Sequence, residues 1–195
     1  MSATTILIAA IALAAVTIAL GRKRRRKILA IHSPRFGILN LKGAAAEGII
    51  ASDIEALQPV LGAPSHGSAS LPFCDVLFVY CDLGADGTVA NFAGTLRDLI
   101  RKLEAPLVVV ASENAGDAYI ASTRNRGYGR ANLVMTLSRQ GGAFGPFFRQ
   151  LFAEMKRGIS MPVAWARLAP QGAVKGHERL PSTIFACEAG QMIFT

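Results

Sequence analysis

Cysteine is scarce in this chain of 195 residues: there are three, Cys74, Cys81 and Cys187, and none stands in a CxxC or Cys/His spacing. That leaves no disulfide framework and no zinc-ligand pattern to organise a fold, so the thiols, each in or beside an apolar run, read as buried side chains. An odd number without a framework suits a reducing compartment. GKS/T and GxGxxG patterns are missing as well, which removes the usual phosphate-cradling loops. The Gly141-Gly142 turn could cradle an anion ahead of a helix, but it reads first as a plain loop. There is no internal repeat. The most informative absence is of charge: from Ser2 to Gly21 no side chain is charged.

Six basic residues follow that gap without interruption, Arg22, Lys23, Arg24, Arg25, Arg26 and Lys27. The apolar run Thr4–Leu20 would span roughly 25 Å as a helix, close to a bilayer core of about 30 Å, and snorkelling Arg and Lys side chains cover the shortfall. A secretory signal peptide carries its positive charge before the apolar core, whereas here it comes after, so the run reads as a retained transmembrane anchor. Basic residues beside a membrane helix stay cytoplasmic, which places the amino terminus outside and the globular part in the cytoplasm, at the cell membrane. The basic run serves as stop-transfer and also as a contact for anionic lipid headgroups. Taking these six from the 21 Lys and Arg leaves 15 against 13 Asp and Glu, a balance of +2 within the overall +8, so no nucleic-acid surface is expected. The expected organisation is an anchor over 1–21, a basic juxtamembrane linker over 22–35, and one α/β domain over 36–195.

Within that domain, apolar runs of strand length alternate with helical spacings. Strands are predicted at Phe36–Leu41, Asp75–Cys81, Leu107–Ala111 and Ala131–Leu137. Helices are predicted at Glu47–Leu61, with Ile49, Ile50, Ile54, Leu57 and Leu61 in register, and at Asn91–Leu103, Ala115–Ser122 and Phe147–Lys156. Pro64–Ser70 reads as a loop. Strands joined through helices need crossover connections, so the sheet should be largely parallel.

The series Phe36–Gly43, Asp75–Asp82, the turn Leu83-Gly-Ala-Asp-Gly87, Pro106–Val110, Ala115–Ser122, Ala131–Leu137 and Gly141–Gly145 resembles the signal peptide peptidase A family, over roughly residues 36–158. These are membrane-anchored serine peptidases of ClpP/crotonase fold, and the resemblance lies in the order and spacing of elements. It implies a ClpP/crotonase-like domain, assembly as a homo-oligomer, and no cofactor. It also places the family's nucleophilic serine at Gly116 or Asp117, neither of which is a serine. The family's oxyanion turn falls on Gly84, Asp86 and Gly87, where Asp86 replaces the first of two paired glycines and would oppose a developing negative charge. The family's general-base lysine falls at Lys175, which otherwise reads as a solvated loop lysine. Ser112 and Ser122 are the nearby hydroxyls that a relocated nucleophile could use. A triad of Ser112, Asp82 and one of His32, His66 and His177 requires geometry that no spacing supplies.

The final third, Phe147–Phe152, Lys156–Ser160, Val163–Leu168 and a closing strand from Thr183, is similar to the last helices and strand of CHAT-type caspase-like domains. That resemblance places a catalytic cysteine near Glu113 and a histidine near Leu83, so it too arrives without its nucleophile. The expectation is a single-pass membrane protein whose non-catalytic, peptidase-like domain binds or scaffolds other proteins. The alternatives are a divergent serine peptidase, an inactive caspase-like domain, and an accessory subunit of a membrane complex.

Overall fold

A computed structural model describes residues 28–67, 71–111, 113–114, 117–118, 131–138, 142–168, 182–187 and 189–195. The expected anchor and basic collar, 1–27, lie outside the described residues. No helix among the described residues is long and apolar enough to cross a membrane.

The chain forms an α/β domain on a six-stranded sheet. Its strands are β2 (Phe36–Asn40), β3 (Ser65–Gly67), β4 (Val76–Tyr80), β5 (Leu107–Val110), β6 (Asn132–Ser138) and β7 (Ser182–Cys187), in the spatial order β3-β2-β4-β5-β6-β7. The first five are parallel and β7 closes the sheet antiparallel to β6. The near-continuous apolar runs of β4 and β5 follow from this topology, because a parallel strand is covered on both faces. All nine residues of those two strands are buried.

Alternation along the strands divides the core in two. Val76, Phe78 and Tyr80 face α1 (Glu47–Leu61), α3 (Phe144–Lys156) and α4 (Met161–Leu168), while Leu77, Val79 and Cys81 face α2 (Leu96–Lys102). Phe78 is the hub of the first layer, with its ring edge-on to Phe36, Phe144, Phe148 and Phe152 at centroid distances of 5.5–6.3 Å. Edge-on contacts of this kind add to the area that each ring buries.

Several boundaries differ from the sequence expectation, each for a local reason. Pro64–Ser70, read as a loop, contains β3, with Ser65 and Gly67 opposite Gly37 and Leu39. The helix expected from Asn91 starts at Leu96, because Thr95 and Asp98 form a reciprocal capping box there. Asn91 itself has a φ of 60° and donates through Nδ2 to the Leu41 carbonyl at 2.7 Å, so it belongs to a turn docked on the end of β2. The helix expected from Phe147 begins one turn earlier, at Phe144. Of the short helix expected at Ala115–Ser122, only Asp117 and Ala118 are described, and both are helical.

The largest difference is at the two ends. The segment expected as linker, 22–35, contains strand β1 (Ile28–Ile31), which pairs in parallel with β8 (Gln191–Phe194). Part of the expected linker, Ile28–Ile31, is therefore a paired strand. Leu29, Ala30, Ile31 and His32 border a groove with Arg35, Asp75, Glu104 and Pro106, the residues that lead into β2, β4 and β5. β1 thus runs along the amino-terminal edge of the main sheet. The β7–β8 turn is tied to the same edge by Asn132, which donates to the Gly190 carbonyl at 3.1 Å and accepts from the Ala189 N–H at 3.0 Å.

Candidate functional site

In a doubly wound sheet, ligands enter the crevice at the carboxyl ends of the strands, where the chain reverses its direction of winding. Here the chain leaves β2 for β3 on one side and then returns to β4 on the other, so the reversal lies between β2 and β4. A cleft of about 570 Å³ occupies that place, bordered by Lys42 after β2, Tyr80 at the end of β4, and Ala111 and Glu113 after β5. Its side walls are the first turns of α1, through Gly48, Ile49, Ser52 and Asp53, and of α3, through Phe144, Gly145 and Pro146.

The floor is a buried polar pair. Helical spacing carries Ile50, Asp53 and Leu57 on one buried stripe of α1, and strand alternation points Tyr80 towards the same stripe. Asp53 is 3% exposed and Tyr80 1%, and the Tyr80 hydroxyl donates to Asp53 Oδ2 at 2.7 Å. A carboxyl group withdrawn from water needs such a donor. α1 and α3 cross closely beside this pair: a Cβ on Gly145 would stand 2.6 Å from Ala56 Cβ and 3.8 Å from Asp53 Oδ1. Asp53 therefore lies against the first turn of α3, where the helix dipole presents partial positive charge. At the rim, Lys42 Nζ and Asp82 Oδ1 pair at 2.6 Å with Asp82 largely exposed, so the pair orders the loop more than it stabilises the fold. Asn114, buried just after β5, donates to the Thr136 carbonyl at 2.9 Å and ties that loop to β6.

The residues singled out from the sequence are dispersed by the fold. Gly84, Asp86 and Gly87 form a closed turn: Gly87 has a φ of 84° and donates to the Gly84 carbonyl at 2.9 Å. Asp86 accepts from the Thr88 N–H at 3.0 Å and the Thr88 hydroxyl at 2.7 Å, which hold its carboxyl below the usual carboxylate range. The carboxylate expected to oppose an oxyanion is instead engaged within its own turn. Leu83 packs against the α2 layer, on the opposite face of the sheet from Tyr80. Asp117 is exposed on a helical turn. Gly116, Ser112, Ser122, Lys175, His177, Gly141 and Arg22–Lys27 lie outside the described residues.

The remaining triad candidates do not converge. Asp82 pairs with Lys42 at the carboxyl edge, whereas His32 Nδ1 lies 2.6 Å from Thr195 Oγ1 at the amino edge. His66 is in β3, opposite Ile38. Cys74 and Cys81 are buried thiols outside any disulfide, as expected from the sequence, and Cys187 is half-buried with its Sγ donating to the Gly190 carbonyl. Burial first, and then the neighbouring Asp75 and Asp82, push Cys74 and Cys81 up to about 12. Neither is a thiolate nucleophile near neutral pH. Among the described residues no group of three or more His, Cys, Asp or Glu could hold a metal ion.

What the cleft can do is bind: it offers a hydrogen-bonding floor, small apolar walls and a charged rim. Neither Asp53 nor Tyr80 is among the residues singled out from the sequence: Tyr80 lies within the apolar strand, and Asp53 carries no recognised motif. The available signal was an acid on the apolar stripe of Glu47–Leu61 and a hydroxyl ending an otherwise apolar strand. Comparison with known proteins finds no matching family model and no matching curated protein.

Proposed function

We propose that the domain is a non-catalytic relative of peptidase-like α/β hydrolases that binds a protein partner at the β2/β4 crevice. One observation carries this reading: the positions after the adjacent strands β4 and β5, where the caspase-like resemblance requires histidine and cysteine, hold Leu83 and Glu113. A Cys–His pair needs both side chains within hydrogen-bond reach, and neighbouring parallel strands would provide that. Leucine and glutamate leave no acyl-transfer chemistry there. The order of α3, α4 and the closing strand β7 is the order that the caspase-like resemblance implies, and it favours that finer assignment over a ClpP/crotonase-like one.

In this reading residues 1–21 anchor the chain in the cell membrane, Arg22–Lys27 meet anionic headgroups, and the domain works in the cytoplasm, assembled as a homo-oligomer. A serine-directed fluorophosphonate and a thiol-directed probe, applied to the full chain in native membranes, should label neither Ser112 nor Ser122 nor Cys74 nor Cys81 at neutral pH. Labelling of either serine that disappears in Lys175→Ala would replace the binding reading with a divergent serine peptidase. A photo-crosslinker at Ile49 on the cleft wall should capture a protein, and capture should be lost when Ser52→Arg fills the cleft. Capture of an unlike membrane subunit would identify an accessory role, whereas capture of lipid alone would overturn the proposal. A reporter fused after Thr195 should be active in the cytoplasm and silent outside it.

A further inference from the structure

We infer that the amino-terminal edge of the domain is itself a membrane-contact surface, resting on the anionic headgroup layer, so that the β2/β4 crevice opens away from the lipid. The inference rests on the anchor proposed above and adds to it a fixed orientation of the folded part.

The first support is the connection. β1 begins at Ile28, directly after Lys27, so only the seven residues Gly21–Lys27 separate the apolar run Thr4–Leu20 from β1. Seven residues reach no further than roughly 25 Å even when fully extended. Because β1 runs along the amino-terminal edge, that edge is the part of the domain held nearest the bilayer.

The second support is what the edge leaves in water. Ile28 is 55% exposed, Leu71 40% and Phe73 65%, three of the five large apolar side chains exposed among the described residues. The Arg35 guanidinium lies 4.2 Å over the Phe73 ring, and both border a groove of about 540 Å³ with Lys156. Lys156 Nζ donates to the Val60 carbonyl at the groove wall, so the feature that matches the boundary between headgroups and acyl chains is the exposed ring beneath a guanidinium. Among the described residues the acidic groups facing this edge are Asp75, which accepts from the Arg35 N–H at 2.8 Å and pairs with the Arg35 guanidinium at 3.4 Å, and the exposed Glu104. The six cations of the collar outnumber them, so the edge and collar together suit an anionic surface.

The third support is distance. The five-residue strands β2 and β4 that flank the crevice, at about 3.3 Å per residue, put it roughly 15 Å from the seated edge, facing soluble partners.

The test uses the full chain in vesicles of phosphatidylcholine and phosphatidylglycerol with acyl chains brominated close to the headgroup. On a Trp165→Phe background, which removes the chain's one tryptophan, Phe73→Trp reports on the proposed contact and Ile49→Trp on the crevice wall. Both positions are exposed, so neither change disturbs the core. Flotation of the vesicles after an alkaline wash reads the anchor separately. The expected result is a chain that floats, with several-fold quenching at position 73 and none at 49. A floating chain with no quenching at 73, or with equal quenching at both, would overturn the seated edge and leave the anchor standing. A chain stripped off by the wash would remove the anchor, and the inference with it.

Discussion

The Asp53–Tyr80 pair concentrates the polar chemistry of the crevice in one buried hydrogen bond. Tyr80→Phe keeps the ring packing and removes the donor, so it should lower stability by about 1–3 kcal/mol, the penalty for a buried polar group that loses a partner. Urea unfolding of the full chain in detergent measures it; no change in the midpoint would mean that water reaches Asp53. The buried thiols give a pH signature of defined sign. An unfolded thiol titrates at its ordinary 9.0, whereas Cys74 and Cys81 in the fold hold their protons up to about 12. Their contribution to stability is therefore complete below pH 9 and declines as pH rises from about 9 towards 12. Thermal midpoints across that range should fall, and Cys81→Ala should flatten part of the fall. Neither effect could be read from residue types alone: Asp53 is legible as an anomaly on an apolar stripe, but its partner is brought to it only by tertiary folding.

Among the elements, the crossing of α1 and α3 sets the width of the crevice. Gly145→Ala would place a methyl 2.6 Å from Ala56 Cβ, and both carbons are fixed to helix backbone. The helices must move apart, at about 1–3 kcal/mol of overpacking. The thermal midpoint should drop, with Ala56→Gly restoring much of the loss in the double variant; full additivity of the two changes would mean that the contact does not constrain the helices. Elements with strong local signals were readable from sequence, which is why α1 and the cores of β4 and β5 lie where their apolar periods put them. Boundaries decided by side-chain capping were less so: α2 starts at its Thr95–Asp98 box, although the apolar spacing extends back to Phe92. β1, β3 and β8 are short strands of three or four residues, too brief for alternation to register, and each exists through its pairing partner.

At the level of the molecule, β8 is structural. Phe194 is fully buried, its ring 5.7 Å from Phe152, and Met192 is buried beside it in the α1/α3 layer. Phe194→Ala should remove about 3–5 kcal/mol, as for other large core aromatics. A shift in the denaturation midpoint as small as that of an exposed substitution would show that β8 is dispensable. The same strand joins the beginning of the described fold to its end: the Thr195 N–H donates to the Ile31 carbonyl and the Ser33 N–H to the Thr195 carbonyl, each at 3.0 Å. Such a closure imposes an order on biogenesis. Translation delivers Ile28–Ile31 well before Gln191–Phe194, so β1 waits without its pairing strand while β2 to β7 are synthesised, and the floor under the sheet stays open for that interval.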